Sequence, residues 1–255
     1  MNTKLIQPAV IGKLIRIGSK NDGGYVIPAN TNSNLLISFG LGDDWKFENE
    51  MLKKKIIKNF YTYDHTVDIL TLLSKTLRRA KTFYRIKPII YRVKVLVLYF
   101  IDYILLHKNH IQKEVTRNYS NRNQTNLHEI VTDVVAKSSF ILKVDIEGAE
   151  YELIDSIMIY SDQIDLLIIE FHAIHQNYER FEKGLKTLFE RFLIIHSHAN
   201  NFAPISNGGF PDVCEITFAP KGIYKTSGLV AELPVEKLDS PSSPTKFDYT
   251  IRFIN

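Results

Sequence analysis

Apolar runs of strand length alternate along this chain with segments whose apolar residues recur at helical spacing. In the first half, the pattern predicts strands over residues 34–42 and 59–65, each followed by a helix, over residues 47–58 and 67–77. Such alternation is typical of βαβ units around a mostly parallel sheet. The first half therefore predicts an α/β domain.

The same alternation returns after residue 139 and extends almost to the end of the chain. It predicts strands over residues 140–145, 164–172, 193–198 and 213–219, and helices over residues 149–160 and 178–192. Together the two halves predict one doubly wound α/β domain over residues 1–255. The segment 234–244 is rich in proline and serine, which indicates an extended or flexible C-terminal arm.

Between the two halves, residues 78–119 lose the strand-and-helix rhythm. Basic and aromatic residues are interleaved with apolar ones at helical spacing, and a polar loop over residues 118–126 follows. About 40 residues make a poor independent core, so this segment is predicted to be a helical insert or cap over the active-site edge. Seven of its basic residues fall in one stretch that contains no acidic residue: Arg78, Arg79, Lys81, Arg85, Lys87, Arg92 and Lys94.

The net charge of +4 is concentrated in that insert. A basic stretch of this kind attracts a phosphate-bearing substrate, an anionic membrane surface or nucleic acid; the alternative is an ordinary solvated helix face. Cys214 is the single cysteine, which excludes an intrachain disulfide. The opening residues lack the apolar run of a signal peptide, and residues 95–106, interrupted by Asp102, are too few to span a bilayer. We therefore expect a cytoplasmic protein.

Polar residues follow five of the predicted strands at the point where each strand ends. In a parallel sheet these ends form one edge, and ligands bind beyond it. The candidate ligand-binding residues are therefore Gly40, Gly42, Asp43, Asp64, Asp145, Glu147, Glu170, His172, His198, Asn200 and Asn201.

The glycines of SFGLGDD allow the backbone to approach a ligand and turn tightly into a helix. The third glycine of the dinucleotide fingerprint is missing, which disfavours a nicotinamide cofactor. Asp64, one strand later, is placed to accept hydrogen bonds from both hydroxyls of a ribose, or else to cap the next helix. The turn at residues 21–25 contains paired glycines and either folds over the ligand or serves as a plain connector.

The stretch LKVDIEGAEYELI, residues 142–154, places polar residues where an apolar strand ends. Asp145 is placed to bind a metal ion, a substrate hydroxyl or the amino group of a ligand. The alternative is helix capping, with Glu147 and Glu150 favoured by the helix dipole.

KVDIEGAEYELI, with SFGLGDDWKFENE before it and LLIIEFH after it, resembles the FkbM-type methyltransferases. RIGSKNDGGYVIP, HSHANNFAP and FPDVCEITFAP are similar to a bacterial branch of that family, whereas residues 78–119 are not part of the pattern. The resemblance implies a Rossmann-like, seven-stranded class I methyltransferase fold that binds S-adenosylmethionine. It implies that the cofactor is held by Gly40, Gly42, Asp43, Asp64, Asp145 and Glu147.

The family methylates hydroxyl oxygens of small molecules, often sugars. The motif of amino-group methyltransferases, Pro-Pro and an aromatic residue after the acid, is absent at Asp145, so methylation of nucleic-acid bases is not expected. A hydroxyl acceptor must lose a proton, and His172, His198 and Asp145 are the candidate bases. In a metal-assisted version, Asp145, Glu170 and His172 or Asn200 bind Mg²⁺.

The leading hypothesis is an O-methyltransferase for a hydroxyl of a nucleotide-activated sugar or surface glycan, as in capsule-type polysaccharide biosynthesis. The basic insert favours this substrate, because diphosphates bind to arginine and lysine. The alternatives are a catalytically silent cofactor-binding module and a protein that docks on membrane or RNA through the insert. The acceptor hydroxyl, the metal dependence and the oligomeric state stay open.

Overall fold

A seven-stranded sheet organises the computed structural model, which describes residues 1–80, 86–106, 108–135 and 138–253. The strand order is β10-β11-β9-β8-β3-β4-β5. The strands span Leu35–Phe39 (β3), Asn59–Tyr63 (β4), Asn109–Ile111 (β5), Phe140–Val144 (β8), Ile164–Phe171 (β9), Phe192–Ala199 (β10) and Cys214–Pro220 (β11). Neighbouring strands from β9 to β5 are parallel, and β11 is antiparallel to both β9 and β10. The predicted Rossmann-like fold class is confirmed.

Within the described residues, six α-helices connect or flank these strands. They span Lys46–Lys53 (α1), Ile69–Ala80 (α2), Ile86–Tyr99 (α3), Leu127–Ile130 (α4), Glu150–Ile159 (α5) and Tyr178–Leu188 (α6). Two π-helical stretches, Phe100–Leu105 and Val131–Val135, extend α3 and α4, and short 3-10 turns lie at Thr3–Ile6 and Ser161–Gln163. No helix among the described residues has the length and apolar character needed to cross a bilayer.

Both faces of the sheet are buried, which is why its strands read as nearly continuous apolar runs. Alternate residues of one strand belong to different cores: Ile37 packs with α5 and α6 on one face, and Leu36 packs with α1 and α2 on the other. Three two-stranded elements lie outside the main sheet in the described part of the chain. They are the hairpin of β1 (Leu14–Gly18) and β2 (Gly24–Pro28), the pair of β6 (Glu114–Val115) and β7 (Gln124–Thr125), and the pair of β12 (Glu232–Leu233) and β13 (Ile251–Arg252).

The topology creates a crevice between β3 and β8. From β3 the chain proceeds to β4 on one side, whereas from β8 it proceeds to β9 on the other. The carboxyl ends of these strands diverge at this switch point, where open α/β sheets bind their ligands. The β1–β2 hairpin, which carries the turn at residues 21–25, is antiparallel and packs against α1.

Two sequence predictions differ from the structure. The segment 78–119, expected to be helical, is helical over Ile86–Leu105 but then forms β5, the edge strand of the main sheet, and β6. Because β5 has only three residues, the sequence shows no alternating strand pattern there, and pairing with β4 decides the local structure. Lys81 and Arg85 lie outside the described residues.

The segment 234–244, expected to be an extended or flexible arm, is packed against the end of β10. His196 Nε2 lies 3.0 Å from Asp239 Oδ1, and Asn21 Nδ2 donates a 2.7 Å hydrogen bond to the Pro241 carbonyl. Ser242 and Ser243 are buried. The segment is therefore packed on the domain and does not project from it as an arm.

Candidate active site

A cavity of about 570 Å³ opens at the carboxyl ends of β3, β4, β8 and β9, at the switch point. Its volume lies in the range of small-molecule sites. It is lined by the glycine loop after β3, the turn between β1 and β2, and the polar residues that end the strands. Among the predicted site residues, those that line it are Gly40, Gly42, Asp43, Asp64, Asp145, Glu147, Glu170, His172 and Asn200.

The two glycines of the loop serve different purposes. Gly40 has φ +83, and a Cβ built on it would lie 1.7 Å from the Asp145 carbonyl oxygen, so only glycine lets β3 and β8 end side by side. Gly42 has φ +58, and a Cβ there would meet no protein atom within 4 Å. Because Gly42 lines the cavity, its missing side chain leaves space for a ligand.

Asp64 is already engaged by the protein. Its Oδ2 accepts hydrogen bonds from the backbone N–H of Leu41 (2.9 Å) and of Gly42 (3.0 Å). Its Oδ1 accepts from the backbone N–H and the hydroxyl of Thr66, both at 2.7 Å. Burial raises the pKa of this carboxyl, but these bonds outweigh burial and lower it below its ordinary value. Asp64 therefore holds the glycine loop in place, whereas the ribose contact expected from the sequence stays a prediction.

Asp43 forms an ion pair with Arg92 of α3 through its Oδ2. Its buried Oδ1 has no hydrogen-bond partner among the described residues. Since a buried carboxylate oxygen without a partner is costly, this atom fits a donor supplied by a ligand. The ion pair also shows that Arg92, a member of the basic stretch seen in the sequence, is paired with the glycine loop.

A buried lysine supports the floor of the cavity. Lys143 lies within the apolar strand β8; its Nζ donates a 3.0 Å hydrogen bond to the Gly40 carbonyl and lies 3.6 Å from Asp145 Oδ2 and 3.8 Å from Glu48 Oε1. Burial lowers the pKa of Lys143, but the charges of Asp145 and Glu48 raise it above its ordinary value. Lys143 is therefore a fixed cation beneath the glycine loop.

Asp145 has one oxygen bound and one free. The Tyr25 hydroxyl donates a 2.9 Å hydrogen bond to Oδ2, on the side that faces Lys143. No hydrogen bond reaches Oδ1 from the described residues, and His172 Nε2 lies 3.9 Å from it. Oδ1 is therefore the carboxylate oxygen of this site that is best placed to accept a proton or a hydrogen bond from a ligand.

His172 lies in the cavity wall, and acidic residues surround it. Its Nδ1 lies 2.7 Å from Oε1 of the fully buried Glu150, and its Nε2 lies 3.5 Å from Glu147 Oε2 and 3.9 Å from Glu170 Oε1. Burial lowers the pKa of His172, but the bond to Glu150 and the charge of Glu170 raise it to about 10. The imidazole is thus protonated at neutral pH, which argues against the prediction that His172 is the base.

A second group of acids lies beside it. Glu170 and Glu215 are directly opposite each other on β9 and β11, and both are buried. Burial, followed by the charges of Asp145 and Glu215, raises the pKa of Glu170 well above its ordinary value. Partial removal from water, and then the charges of Glu215 and Asp145, raise the pKa of Asp22 to about 6. This part of the cavity carries an excess of negative charge.

Two sets of side chains have the spacing of metal ligands. Ligand atoms of Asp145, Glu147 and His172 lie within 4.8 Å of one another, and those of Asp22, Glu170 and Glu215 do the same. The predicted set of Asp145, Glu170 and His172 overlaps both. Asn200 donates a 2.9 Å hydrogen bond to Glu170 through its Nδ2, and its Oδ1, the atom that could bind a metal ion, accepts a 3.0 Å hydrogen bond from the Phe202 N–H.

His198 is not brought into the cavity. It is 1% exposed, its Nε2 lies 3.0 Å from Asp248 Oδ2, and its Nδ1 lies 3.4 Å from Glu215 Oε2. Burial lowers its pKa, but these acids raise it well above the ordinary value. Asn201 is also buried and bonds to the segment after β12 through Ser243 and Phe247. The C-terminal segment covers this strand end, so these two predicted site residues do not line the cavity.

Sequence reasoning placed Asp22 and Tyr25 only in the turn at residues 21–25, without a chemical role, and missed Glu48 and Lys143. One signal was available: a lysine within the apolar run FILKV must be paired when its strand is buried. A second was the Asp-Gly turn between LIRIG and GYVIP, which is typical of a hairpin. Nothing in the local sequence indicated the position of Glu48, because Ser38, whose hydroxyl donates a 2.6 Å hydrogen bond to Glu48, lies on another element.

Comparison with known proteins identifies the family. Residues 27–200 match the family model described as the methyltransferase FkbM domain. A comparison with curated protein sequences gives no match. Among solved structures, the chain is similar to TrmK of M. capricolum in complex with S-adenosyl-homocysteine, with 12% identity and a TM-score of 0.40 over 76% of this chain and 65% of that one.

A second solved structure is a putative methyltransferase from Thermoplasma acidophilum, with 9% identity and a TM-score of 0.34 over 76% of this chain and 70% of that one. The chain thus spans about two thirds of the length of these neighbours. The family match rests on the sequence itself and covers more than half of the chain, including the glycine loop, Asp64, Asp145 and His172. The resemblance seen in the sequence is confirmed: the chain belongs to the FkbM family of S-adenosylmethionine-dependent methyltransferases.

Proposed function

We propose that this protein transfers a methyl group from S-adenosylmethionine to a hydroxyl oxygen of a sugar, as part of a nucleotide-activated sugar or a surface glycan. The observation that carries the proposal is the position of Asp145 Oδ1. This oxygen is free of hydrogen bonds from the described residues and lies in the cavity between the glycine loop and the acidic group of Asp22 and Glu170. A proton acceptor so placed suits a hydroxyl acceptor.

The residues around the glycine loop fit the cofactor. The space left open at Gly42 accommodates the cofactor beside the backbone, and the unpartnered Asp43 Oδ1 suits its amino group. Both oxygens of Asp64 already accept hydrogen bonds from the protein. A contact with the ribose therefore requires that an oxygen be shared with Thr66 or with the backbone N–H groups of the glycine loop. When bound, S-adenosylmethionine would supply a methyl group on a positively charged sulfur; a lone pair of the acceptor oxygen would form the O–C bond, and the electron pair of the broken S–C bond would stay on sulfur.

Residues at the end of the cavity away from the glycine loop orient the acceptor molecule and supply the group that takes its proton. Carboxylates accept hydrogen bonds from hydroxyls, so Asp22, Glu170 and Asn200 suit a hydroxyl-rich acceptor. Asp145 Oδ1 takes the proton of the reacting hydroxyl, while Tyr25 and Lys143 hold Asp145 in place from the other side. The protonated His172 remains beside Asp145 as a fixed cation and does not act as the base.

A metal-assisted version uses the same residues. Mg²⁺ held by Asp145, Glu170 and His172 would lower the pKa of the acceptor hydroxyl. To bind there, the ion must displace the proton from His172, whose pKa is raised to about 10. The proposal therefore assigns the proton to Asp145, and activity after dialysis against EDTA, with and without added Mg²⁺, distinguishes the two versions.

The test is methyl transfer from labelled S-adenosylmethionine to a panel of nucleotide sugars and glycans, beside calorimetric titration with S-adenosylhomocysteine. We expect cofactor binding and label in an alkali-stable ether on the acceptor. Cofactor binding without transfer to any member of the panel would contradict the sugar acceptor and favour a cofactor-binding module. Absence of cofactor binding by folded protein would contradict the whole proposal.

A further inference from the structure

The outward side of α3 and its π-helical extension is apolar, although it faces solvent. Ile90, Val93, Val97, Ile101 and Ile104 are all exposed. Their spacing of three and four residues places them on one side of a continuous helix from Ile86 to Leu105. We call these five residues the α3 outer face. Further exposed apolar residues lie on α2 and on or just after α3 and its extension: Leu70, Leu73, Leu77, Leu98, Phe100, Leu105 and Leu106.

The inner side of the same helix already has its core contacts. Val95, Tyr99 and Tyr103 are buried, and the two tyrosines pack on Trp45 of the glycine-loop region. The α3 helix is therefore apolar on both sides, and the domain covers only one of them. An exposed apolar surface of this extent marks a binding surface, because scattered apolar residues do not align along one helix.

Its charges indicate the kind of partner. Residues 69–101 contain eight lysines and arginines and no acidic residue. Lys94 is exposed on α3 next to Val93 of the α3 outer face, and Lys75 and Arg78 lie on α2, which packs against α3. None of these three forms an ion pair within the described part of the chain. Apolar residues flanked by basic ones are typical of helices that lie in the interface of an anionic bilayer.

We propose that the α3 outer face docks this protein on an anionic lipid bilayer. A second copy of the chain fits less well, because a twofold contact would place basic residues against basic residues without an acid to offset them. RNA fits less well, because the face is largely aliphatic and offers few aromatic rings for bases to stack on. The helix, about 30 Å long at ~1.5 Å per residue, lies flat in the interface.

The docking surface is next to the cavity. On the same helix, Tyr91 lines the cavity and Arg92 forms the ion pair with Asp43. A docked protein thus holds its cavity close to the lipid headgroups, where a membrane-anchored sugar acceptor is presented. This consequence for the acceptor rests on the proposed function, whereas the docking itself does not.

The test is co-flotation of the full chain with vesicles of phosphatidylcholine alone or of phosphatidylcholine with phosphatidylglycerol. We expect flotation with the anionic vesicles, weakened at least about tenfold by Val97→Asp with Ile101→Asp, and similarly by Lys75→Glu with Arg78→Glu and Lys94→Glu. The matched controls are Ile159→Asp, at an exposed apolar residue of α5, and Lys183→Glu with Lys221→Glu and Lys225→Glu, which make the same charge change elsewhere.

Circular dichroism and S-adenosylhomocysteine titration establish that each variant is folded, and none of the changed residues lines the cavity. Flotation that the controls retain and the surface variants lose supports the proposal. No flotation of the parent protein, or equal loss in the controls, overturns it. If the parent protein does not float but forms a dimer, and Val97→Asp disrupts that dimer, the proposal is overturned in favour of a second copy of the chain. Because flotation needs no turnover, its failure is distinguishable from a failure of the methyltransferase proposal.

Discussion

The two ends of the cavity are built on opposite physical principles. At the glycine-loop end, Asp64 accepts four hydrogen bonds from Leu41, Gly42 and Thr66, and its pKa is lowered. At the other end, Glu170 and Asp22 crowd together, and their pKa values are raised. The first end is stabilised by its own contacts, whereas the second keeps like charges close together at a cost in stability.

That difference separates the part of the site that binds from the part that reacts. A satisfied carboxylate fixes the backbone and does not titrate near neutral pH. Carboxylates with raised pKa values, next to a free oxygen of Asp145, are suited to proton transfer and to acceptor hydroxyls. The comparison is therefore tested by variants that affect one end and leave the other unchanged.

The largest effect is expected for Asp145→Asn. The amide retains an oxygen for the Tyr25 hydroxyl but cannot accept the acceptor's proton, so kcat should fall by about 10³-fold, within the range for loss of a general base. The Kd of S-adenosylhomocysteine should rise by less than about tenfold, since the glycine-loop end is unchanged. Initial rates at saturating cofactor and calorimetry measure the two quantities.

Glu147→Gln is the matched control, because the Glu147 side chain is 85% exposed and reaches His172 only at 3.5 Å. Its kcat should fall by less than about threefold. Equal losses for Asp145→Asn and Glu147→Gln would mean that the acidic surroundings matter as a whole and that Asp145 is not the base.

How far the sequence predicts this site depends on the range of the interactions involved. Buried apolar runs that end in acids placed Asp64 and Asp145 at one edge correctly, because strand ends follow from local pattern and from the parallel topology. The same reasoning failed for His198. Whether a strand-end histidine faces a cavity depends on Asp248, 50 residues away in the chain, which pairs with it. Contacts at such separations leave no local pattern.

A similar limit applies to β5. Residues 109–111 become an edge strand because β4 offers a free edge, through pairs such as Thr62 with His110. The apolar spacing before them predicts only the helix. The pKa of His172 was equally out of reach, since Glu150 is close in sequence to Asp145 but meets His172 only when β8 and β9 are paired.

The second effect concerns stability and pH at the acidic end. Because the pKa of His172 in the folded protein is raised to about 10 from an ordinary 6.5, its charge stabilises the fold fully below pH 6.5. That stabilisation is lost as the pH rises from 6.5 through 10. We expect the free energy of unfolding to drop by on the order of 3 kcal/mol across this window in the parent, and by much less in His172→Gln.

Urea denaturation at pH 6.5, 8 and 9.5 measures the slope. Other groups that titrate in alkali are present in both proteins and cancel in the difference. His65→Gln, at an exposed histidine, should retain the parent slope. A parental slope in His172→Gln would show that the acids do not hold this imidazole protonated.

The third effect addresses the glycine-loop end. Asp64→Ala removes the acceptor for Leu41 and Gly42 and any ribose contact, so cofactor affinity should fall by about 30-fold, as the loss of hydrogen bonds to a charged group implies. Asp64→Asn retains one oxygen for the loop. Retained affinity in Asp64→Asn would assign Asp64 to the loop alone, and equal loss in both variants would support direct contact with the ribose.

Asp68→Asn is the control for that series. Asp68 also accepts backbone hydrogen bonds, from Leu70 and Thr71 at the start of α2, but it does not line the cavity. Its replacement should lower the free energy of unfolding without weakening cofactor binding. Calorimetry with S-adenosylhomocysteine, beside urea denaturation, separates the two contributions.

The smallest effect is expected for Gly42→Ala, and it locates the cofactor most directly. At φ +58 an alanine costs about 1 kcal/mol of stability, and its methyl group would occupy the cavity, where no protein atom lies within 4 Å. Gly222→Ala carries a comparable backbone cost, at φ +83 with equally open space, but lies outside the cavity. Both variants should lose similar stability in urea, whereas only Gly42→Ala should weaken S-adenosylhomocysteine binding, by about fivefold. If Gly42→Ala and Gly222→Ala bind S-adenosylhomocysteine with equal affinity, the cofactor does not pass over Gly42. The glycine-loop end would then lose its assignment as the binding half of the site.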